Sequence, residues 1–373
     1  MRFTIDKESF NKAIGIVGHA IGGKNANPVL LCFKLEITNS GLIVVGYNQE
    51  IAIRTLVPFE VDGRTMVRDY SLGGTLIQAK LLNDVVRRME GNEITIEVID
   101  NSIAKINDGK SSFKLHCISV DEYPDVDFTA SSSSFELPAS TLLELVEETA
   151  FAALTKDGRP VLATVNLKQE NGQIVSMATD GARLSRKSVE VDGMSKFTAN
   201  IPAKIFSDIV RLPEPRDVVQ VSLNPDSAIF EFGNTIVSSR LIPGAYPVTG
   251  SIIPHTFAHV LEVNAKEIVS AIDRLAVLSQ GVTPIVKLKM SNDGVEVSSK
   301  GDLTGSGVER INTYQYSGDG LEIAFNSTYV CEAIRALGSE DVDFHFVGEM
   351  KPFVIKNPND DSIVELVTPI RTR

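Results

Sequence analysis

The chain has 373 residues, a mass of 40.5 kDa, a hydrophobic fraction of 43% and a formal net charge of −12. This length supplies two or three domains with cores of their own, and three domains of about 125 residues fit it well. The acidic balance argues at first sight against a nucleic-acid partner, because duplex binding depends on neutralising phosphates.

The sequence also argues against a membrane or secreted protein and against a protein stabilised by disulfides. No apolar run reaches the roughly 20 residues of a spanning helix, and the N-terminus lacks the apolar core of a signal peptide. We therefore expect a cytoplasmic protein with no membrane partner. Cys32, Cys117 and Cys331 lack the spacing of a metal site or a disulfide framework, and we interpret them as small packing residues.

A short strand followed by an amphipathic helix occurs six times along the chain, which is the mark of a repeat architecture. In chain order, the predicted strands and helices are 3–6 before 10–14, 75–80 before 85–88, 135–138 before 142–145, 199–204 before 209–211, 261–264 before 268–272, and 323–326 before 333–335.

Two such pairs make one domain. Stretches poor in large apolar residues, at 129–134 and 250–256, predict boundaries that give domains 1–128, 129–253 and 254–373.

Between the helices, alternating apolar and polar residues predict half-buried antiparallel strands, as in 94–98, 219–223 and 295–298. Asn264 is placed to cap the following helix, and Glu267 is expected to complete a capping box. Strands outnumber helices, so we predict α+β domains with two helices on a sheet face.

One segment resembles a phosphate-binding loop. Residues 18–25 match its glycine and lysine spacing, but Asn25 stands where a hydroxyl residue must hold magnesium, and no strand precedes the segment. We expect instead a helix over 10–21 that stops at Gly22 and Gly23.

The histidines show no spacing typical of zinc sites or catalytic triads; they are His19, His116, His255, His259 and His345. We predict no metal, no cofactor and no catalytic residue. The first alternative, an enzyme with its site between domains, needs a converging acid, base or metal set that the sequence does not offer.

Three later segments carry a family resemblance. Residues 179–184 read Thr-Asp-Gly-Ala-Arg-Leu, residues 238–247 read Ser-Ser-Arg-Leu-Ile-Pro-Gly-Ala-Tyr-Pro, and the chain ends Leu-Val-Thr-Pro-Ile-Arg-Thr-Arg. Alone, the first segment is typical of a hairpin turn. Together the three resemble the bacterial DNA sliding clamps, the beta subunits of DNA polymerase III. The resemblance covers all three domains and is loosest in the first, at 45–50.

The resemblance implies three tandem clamp domains and a processivity factor for DNA replication. Such a clamp encircles duplex DNA regardless of sequence and tethers the replicative polymerase. It is a non-catalytic subunit of a DNA-directed DNA polymerase, which is itself a transferase. The second alternative is a divergent clamp-fold scaffold that binds protein partners without encircling DNA.

The resemblance also implies a cleft between domains two and three for the polymerase, the clamp loader and other proteins with a Gln-Leu-x-Leu-Phe-type motif. Apolar walls would hold the anchors, while Arg183 and Arg371 would hydrogen-bond peptide carbonyls. Ala182 and Ser251 depart from the family's histidine and arginine. The matching positions are Leu162, Thr179, Gly181, Arg183, Leu184, Pro247, Ile252, Asn326, Tyr329, Val367, Pro369, Ile370 and Arg371.

A helix count gives the expected oligomer. Helices about 10 Å wide leave about 9 Å clear in a circle of six and about 28 Å in a circle of twelve. Only the larger circle admits a duplex, so we expect a head-to-tail homodimer that forms a closed ring lined by twelve helices. The resemblance implies a junction where Phe113 and Leu115 meet Val277 and Leu278; alternatively, these residues pack within their own domains.

A locally basic pore answers the charge objection, because salt screens charges beyond about 10 Å at 0.1 M. Lys24 and Lys156 match loop positions where family members touch DNA. The other candidates for DNA binding are Lys12, Lys80, Arg87, Arg88, Lys204, Arg211, Lys266 and Arg274, with Lys7 and Arg335 as further pore candidates.

The same helices carry acidic residues, so we expect only weak attraction for DNA. These residues are Glu144, Glu147, Glu148, Asp208 and Asp273. For single lysines, the alternative is an ordinary solvated surface residue.

Overall fold

The structure is a computed structural model that describes residues 1–131, 134–156, 158–191, 195–279, 283–301 and 303–372. In these ranges the α-helices are α1 (Lys7–Gly18), α2 (Ala79–Arg88), α3 (Ala139–Glu147), α4 (Ala203–Ile209), α5 (Ala265–Ala276) and α6 (Ser327–Leu337). Short 3-10 turns lie at Pro28–Leu31, Val120–Glu122, Ala150–Ala152 and Pro160–Ala163.

The strands of the first part of the chain are β1 (Arg2–Asp6), β2 (Cys32–Thr38), β3 (Gly41–Tyr47), β4 (Ile51–Pro58), β5 (Glu60–Val61), β6 (Arg64–Thr65), β7 (Val67–Ser71), β8 (Gly73–Gln78), β9 (Glu93–Ile99), β10 (Ile103–Asn107), β11 (Ser112–Ile118) and β12 (Ser134–Pro138).

The later strands are β13 (Thr164–Glu170), β14 (Gln173–Thr179), β15 (Arg183–Glu190), β16 (Thr198–Pro202), β17 (Val218–Leu223), β18 (Ser227–Phe232), β19 (Thr235–Arg240), β20 (His259–Asn264), β21 (Ile285–Ser291), β22 (Gly294–Gly301), β23 (Gly305–Ile311), β24 (Tyr314–Ser317), β25 (Leu321–Asn326), β26 (Asp341–Phe346), β27 (Phe353–Asn357) and β28 (Asp360–Val367).

All six predicted strand–helix pairs are confirmed, as β1–α1, β8–α2, β12–α3, β16–α4, β20–α5 and β25–α6. Local chemistry starts several of these helices. A side-chain oxygen caps the first turn at Asp6, Asn264 and Asn326, accepting backbone N–H groups at 2.8, 3.2 and 3.0 Å respectively.

Two local predictions were wrong. Glu267 does not complete a capping box; its carboxylate instead accepts the backbone N–H groups of Asn312 at 2.8 Å and Thr313 at 3.2 Å. Helix α1 ends at Gly18, a residue of low helix propensity, and the chain continues to Ile21 in i→i+3 turns. The stop expected at residues 22 and 23 is therefore already past the helix.

The chain forms two units, each described here by itself. The first comprises residues 1–140 and 208–241. Its sheet has thirteen described strands in the order β12-β17-β18-β19-β4-β3-β2-β8-β11-β10-β9-β1-β7, and a separate ribbon joins β5 to β6. The second unit comprises residues 141–207 and 242–373. It holds a nine-stranded sheet, β16-β13-β14-β15-β28-β27-β26-β20-β24, and a four-stranded sheet, β23-β22-β21-β25.

Strand pairing continues across the sequence repeats. In the first unit β19 pairs with β4, and in the second unit β15 pairs with β28, both antiparallel. The predicted middle domain, 129–253, therefore contributes strands to both units.

Each unit has a core between helices and sheet. In the first, α1 buries Phe10, Ile14 and Val17, and Phe10 meets Phe3 edge-on at 6.4 Å. In the second, the buried faces of α5 and α6 include Ile272 and Ile334. Each such side chain contributes about 1.5–3 kcal/mol through burial.

The three cysteines are free and buried, as expected of packing residues. Burial raises the pKa of the Cys32 thiol to about 11. The pKa of Cys331 is raised to about 12, chiefly by burial and further by the neighbouring Asp273 carboxylate.

Candidate functional site

The 179–183 segment is a tight turn between β14 and β15. Gly181 adopts φ +96°, a conformation that favours glycine. Asp180 Oδ1 accepts the N–H groups of Ala182 at 2.8 Å and Arg183 at 3.0 Å, and Thr179 Oγ1 accepts that of Gly181 at 3.1 Å. The turn is thus fixed by its own side chains. It has the hairpin form that the sequence indicated, and it contains three of the predicted cleft residues, Thr179, Gly181 and Arg183.

Arg183, the last residue of this turn, has a buried side chain with several partners. Its side chain is only 9% exposed, and its guanidinium lies 4.3 Å from the centre of the Tyr329 ring. The guanidinium hydrogen-bonds Glu332 and the Phe151 carbonyl, and its Nε lies 3.2 Å from Asp180 Oδ2. Glu332 and the Phe151 carbonyl engage the terminal nitrogens that the sequence assigned to a peptide, so Arg183 acts here as a support.

The C-terminal segment is tied to the same turn. Thr368 donates both its N–H, at 2.9 Å, and its hydroxyl, at 2.7 Å, to the Ala182 carbonyl. The Ile370 N–H donates to Ala324 O at 2.7 Å. Pro369 and Ile370 are half-buried, whereas Arg371 is exposed and presents its donors to solvent.

An apolar floor lies beneath the segment. Leu162, Leu184 and Val367 are buried. Leu184 belongs to a cluster with Met177, Val354 and Leu366, against which Tyr246, Ile253 and Phe257 pack. The structure therefore supplies a buried apolar cluster in the second unit, with half-buried side chains packed against it.

The remaining predicted cleft residues differ in exposure. Pro247 is exposed and Ile252 is 47% exposed, as expected of side chains that line an open surface. Asn326 is buried and its Oδ1 caps α6, so its role in this structure is to start that helix. Of the two departures, Ser251 is exposed and Ala182 supplies the carbonyl that holds Thr368.

Sequence reasoning missed four contributors. Phe151 and Glu332 contact Arg183, and Asp180 organises the turn. Arg159 places Nη2 3.8 Å from where a Cβ on Gly181 would lie. Asp180 stood inside the motif and was within reach of sequence analysis; the others come from distant segments and carry no local pattern.

A buried carboxyl lies further along β15. Ser185 Oγ is 2.6 Å from both Glu148 O and Glu365 Oε1. A carbonyl oxygen only accepts, so the hydroxyl proton goes to Glu148 O, and Glu365 must be protonated to complete the second bond. Complete burial raises the pKa of Glu365 well above its ordinary value, in agreement with this assignment.

The ten predicted DNA-binding side chains are all exposed. Ion pairs are described for three of them: Lys12 with Glu214 at 2.9 Å, Arg88 with Asp84 at 2.9 Å, and Arg274 with Glu309 through two hydrogen bonds, one of 3.0 Å.

The predicted junction residues fall into two classes. Leu115 is 8% exposed and Leu278 packs on its own core, as the within-domain alternative expects. Phe113 is 41% exposed and Val277 is 77% exposed. Among the described strands, β23 pairs only with β22, and the Ser112–His116 part of β11 pairs only with β10. Each unit thus presents an open strand edge near an exposed apolar side chain.

No helix in the described ranges is long and apolar enough to cross a membrane. Within those ranges, histidine, cysteine and acidic side chains do not form a cluster that could hold a metal ion.

Comparison with known proteins adds the family context. Three family models match in order: the N-terminal domain of the DNA polymerase III beta subunit over residues 1–127, its central domain over 136–248 and its C-terminal domain over 250–371. The beta sliding clamps of Bacillus subtilis and Staphylococcus epidermidis are 30% and 29% identical, and each match covers all of both chains.

Solved structures agree. The sliding clamp of Bacillus subtilis superposes with a TM-score of 0.95 at 30% identity, and the DNA polymerase III beta chain of Streptococcus pneumoniae with 0.95 at 28%. Both alignments cover 100% of this chain and of the other.

Proposed function

Because the chain belongs to the DNA polymerase III beta subunit family, the bacterial sliding clamps, we propose that its surfaces bind the partners that a clamp requires. The protein is a processivity factor: a non-catalytic ring that surrounds DNA and keeps the replicative polymerase on its template. We place this work in the cytoplasm. The scaffold alternative receives no support from the comparisons.

The partner site is the apolar surface beside the 179–183 turn. The observation that carries this assignment is the pair of hydrogen bonds from Thr368 to Ala182, which holds the C-terminal segment against the turn. A peptide of the Gln-Leu-x-Leu-Phe type would bury its leucine and aromatic anchors against Leu184 and its neighbours. Exposed Arg371 would meet the peptide's carbonyl groups. The polymerase subunit, the clamp loader and other clamp-binding proteins would share this site.

Peptide binding tests the assignment. A fluorescent Gln-Leu-x-Leu-Phe peptide is titrated with the protein, beside a peptide whose two apolar anchors are alanine. We expect saturable polarisation for the first peptide only. Deleting residues 368–373 removes the segment that borders the surface and should abolish binding, whereas deleting 372–373 should leave it unchanged. Equal binding by the two peptides, or binding that survives the longer deletion, would refute the site.

Duplex DNA and a second copy of the chain are the other partners. The two open strand edges, one in each unit, suit pairing between copies, because unpaired edge strands readily add another strand. A ring closed in this way would hold the duplex by topology and slide without reading sequence. The clamp should therefore remain on nicked circular DNA and leave linear DNA; equal retention on both would exclude encirclement.

A further inference from the structure

Four basic side chains on the helices are already neutralised within the chain. Besides the pairs of Lys12, Arg88 and Arg274, Arg335 on α6 hydrogen-bonds Asp273 on α5 at 2.8 Å. Glu214 also lies 3.1 Å from Arg216 and so serves two cations. These partners are solvent-accessible; the Lys12 and Glu214 side chains, for example, are 66% and 46% exposed.

Most of the other candidates for DNA binding differ from these four side chains, because they have no acidic partner among the residues that the structure describes. Within the described ranges, six of the ten DNA-binding candidates form no ion pair: Lys24, Lys80, Arg87, Lys156, Lys204 and Lys266. Two neighbours on α2 show the contrast most clearly, since Arg88 is held by Asp84 and Arg87 is not.

We propose that Glu214, Asp84, Glu309 and Asp273 compete with DNA phosphates for the clamp's basic residues, so that the unpaired cations contact the duplex first and the paired cations form a reserve. This inference rests on the proposed encirclement of DNA and deepens it by separating the basic residues into two classes. Each carboxylate lies within hydrogen-bond distance of its cation, and the pKa values of Glu214 and Asp84 are lowered, that of Glu214 chiefly by its hydrogen bond with Lys12 and that of Asp84 chiefly by its hydrogen bond with Arg88. Glu214 and Asp84 are therefore charged at neutral pH.

The physical argument concerns counterion release. The logarithm of the DNA-binding constant falls linearly with the logarithm of the salt concentration, and the slope steepens by about 0.9 for each phosphate that a protein cation neutralises. A cation with a carboxylate partner must exchange that partner for phosphate, so it contributes little. An exposed ion pair is weak, so the exchange remains possible when DNA is near. The pore then attracts DNA less than its count of basic residues indicates, as free sliding requires.

The test uses the full-length protein and a short linear duplex, so that topology plays no part. Anisotropy gives the affinity over a range of salt for wild type, Glu214→Gln and Glu8→Gln. Glu8 is the matched control: it is exposed on α1, one turn before Lys12, and forms no ion pair in the described ranges. Both variants change the net charge equally. We expect Glu214→Gln to raise affinity up to about fivefold and to steepen the salt dependence, and Glu8→Gln to do clearly less.

A second comparison identifies the released cation. Lys12→Ala should weaken binding in the Glu214→Gln background and have little effect in wild type, whereas Arg87→Ala should weaken binding in both backgrounds. Equal effects of Glu214→Gln and Glu8→Gln would overturn the proposal, since they would reduce it to net charge. The absence of binding by wild type and Glu214→Gln at the lowest salt would overturn it as well.

Retention on nicked circular DNA separates this proposal from the function on which it rests. A clamp retained on circles whose Glu214→Gln variant matches Glu8→Gln would refute only the competition by carboxylates. Loss of retention on circles would refute encirclement itself, whatever the affinity for linear duplex.

Discussion

At the scale of single residues, the buried pair of Ser185 and Glu365 fixes a protonation state. The serine hydroxyl has one proton and two neighbours at 2.6 Å, of which the Glu148 carbonyl can only accept. The carboxyl of Glu365 must then supply the second proton. A neutral, hydrogen-bonded carboxyl avoids the large cost of a buried charge.

Stability should therefore depend on pH through Glu365. Because burial raises its pKa in the folded state, its protonation stabilises the fold fully below the ordinary pKa of a glutamate, and this contribution is lost as pH rises toward the raised value. Glu365→Gln keeps a donor for Ser185 and does not ionise. We expect wild type to lose stability relative to this variant as pH rises above the ordinary pKa of a glutamate, measured by urea unfolding at a series of pH values.

Glu190→Gln is the control for this experiment, because Glu190 lies exposed at the end of the same strand. Its difference from wild type should stay nearly constant with pH. A constant difference for Glu365→Gln as well would mean that Glu365 is charged in the fold.

The sequence predicted where Arg183 lies but not what it does. Its position follows from a local motif, whereas its partner Glu332 lies 149 residues away along the chain. No spacing rule connects two such residues, because the contact exists only once β15 and α6 have packed. Asp180, by contrast, acts on its immediate neighbours and was accessible to sequence reasoning.

At the scale of elements, the N-terminus of α5 divides two tasks between two side chains. Asn264 caps the helix, and Glu267 anchors the backbone between β23 and β24 through Asn312 and Thr313. The expected capping box would have directed Glu267 back to the cap. The two backbone donors brought close by the fold compete successfully for its carboxylate.

Glu267→Ala should leave the helix start intact and release the 312–313 segment. We expect a loss of about 1 kcal/mol in unfolding free energy, since these hydrogen bonds are exposed. Hydrogen bonds from the Asn312 and Thr313 backbone lower the pKa of Glu267, so its contribution is present above the ordinary pKa of a glutamate and disappears as pH falls. Urea unfolding near neutral and acidic pH measures both effects.

Ser270→Ala, on the exposed side of α5, provides the comparison and should not lower stability. If Glu267→Ala is as stable as wild type at neutral pH, the anchor has no energetic importance.

The existence of each helix was predictable and its end was not. Apolar spacing reports which face of α1 is buried over its whole length, but the last turn depends on whether i→i+4 or i→i+3 bonds form beyond Gly18. That choice depends on the packing around the end of the helix.

At the scale of the whole molecule, the two open strand edges and the exposed Phe113 and Val277 bear on assembly. Val277→Glu would place an uncompensated charge at the expected junction. We expect light scattering to report a mass near 40.5 kDa, that of one chain, in place of twice that value.

Val248→Glu is matched to this change. Val248 is 86% exposed, comparable to Val277, and lies in the segment that precedes β20. The Val248→Glu variant should remain dimeric. A dimer in both variants would place the junction elsewhere.

Fold class, repeat number and the six helices were all predictable from periodicity, because each repeat carries its own pattern. The distribution of strands between sheets was not, because β19–β4 and β15–β28 pair residues from different repeats. Such pairings rest on backbone hydrogen bonds, which any sequence can form and which leave little trace in composition.

These same pairings limit how freely the repeats could be exchanged. A segment cut at 129 and 253 would carry β19 without β4 and β15 without β28, exposing two strand edges that the intact chain covers. The sequence repeats are thus not interchangeable structural modules. A recombination event between two clamps would preserve the sheets best where it exchanges both members of each pairing together.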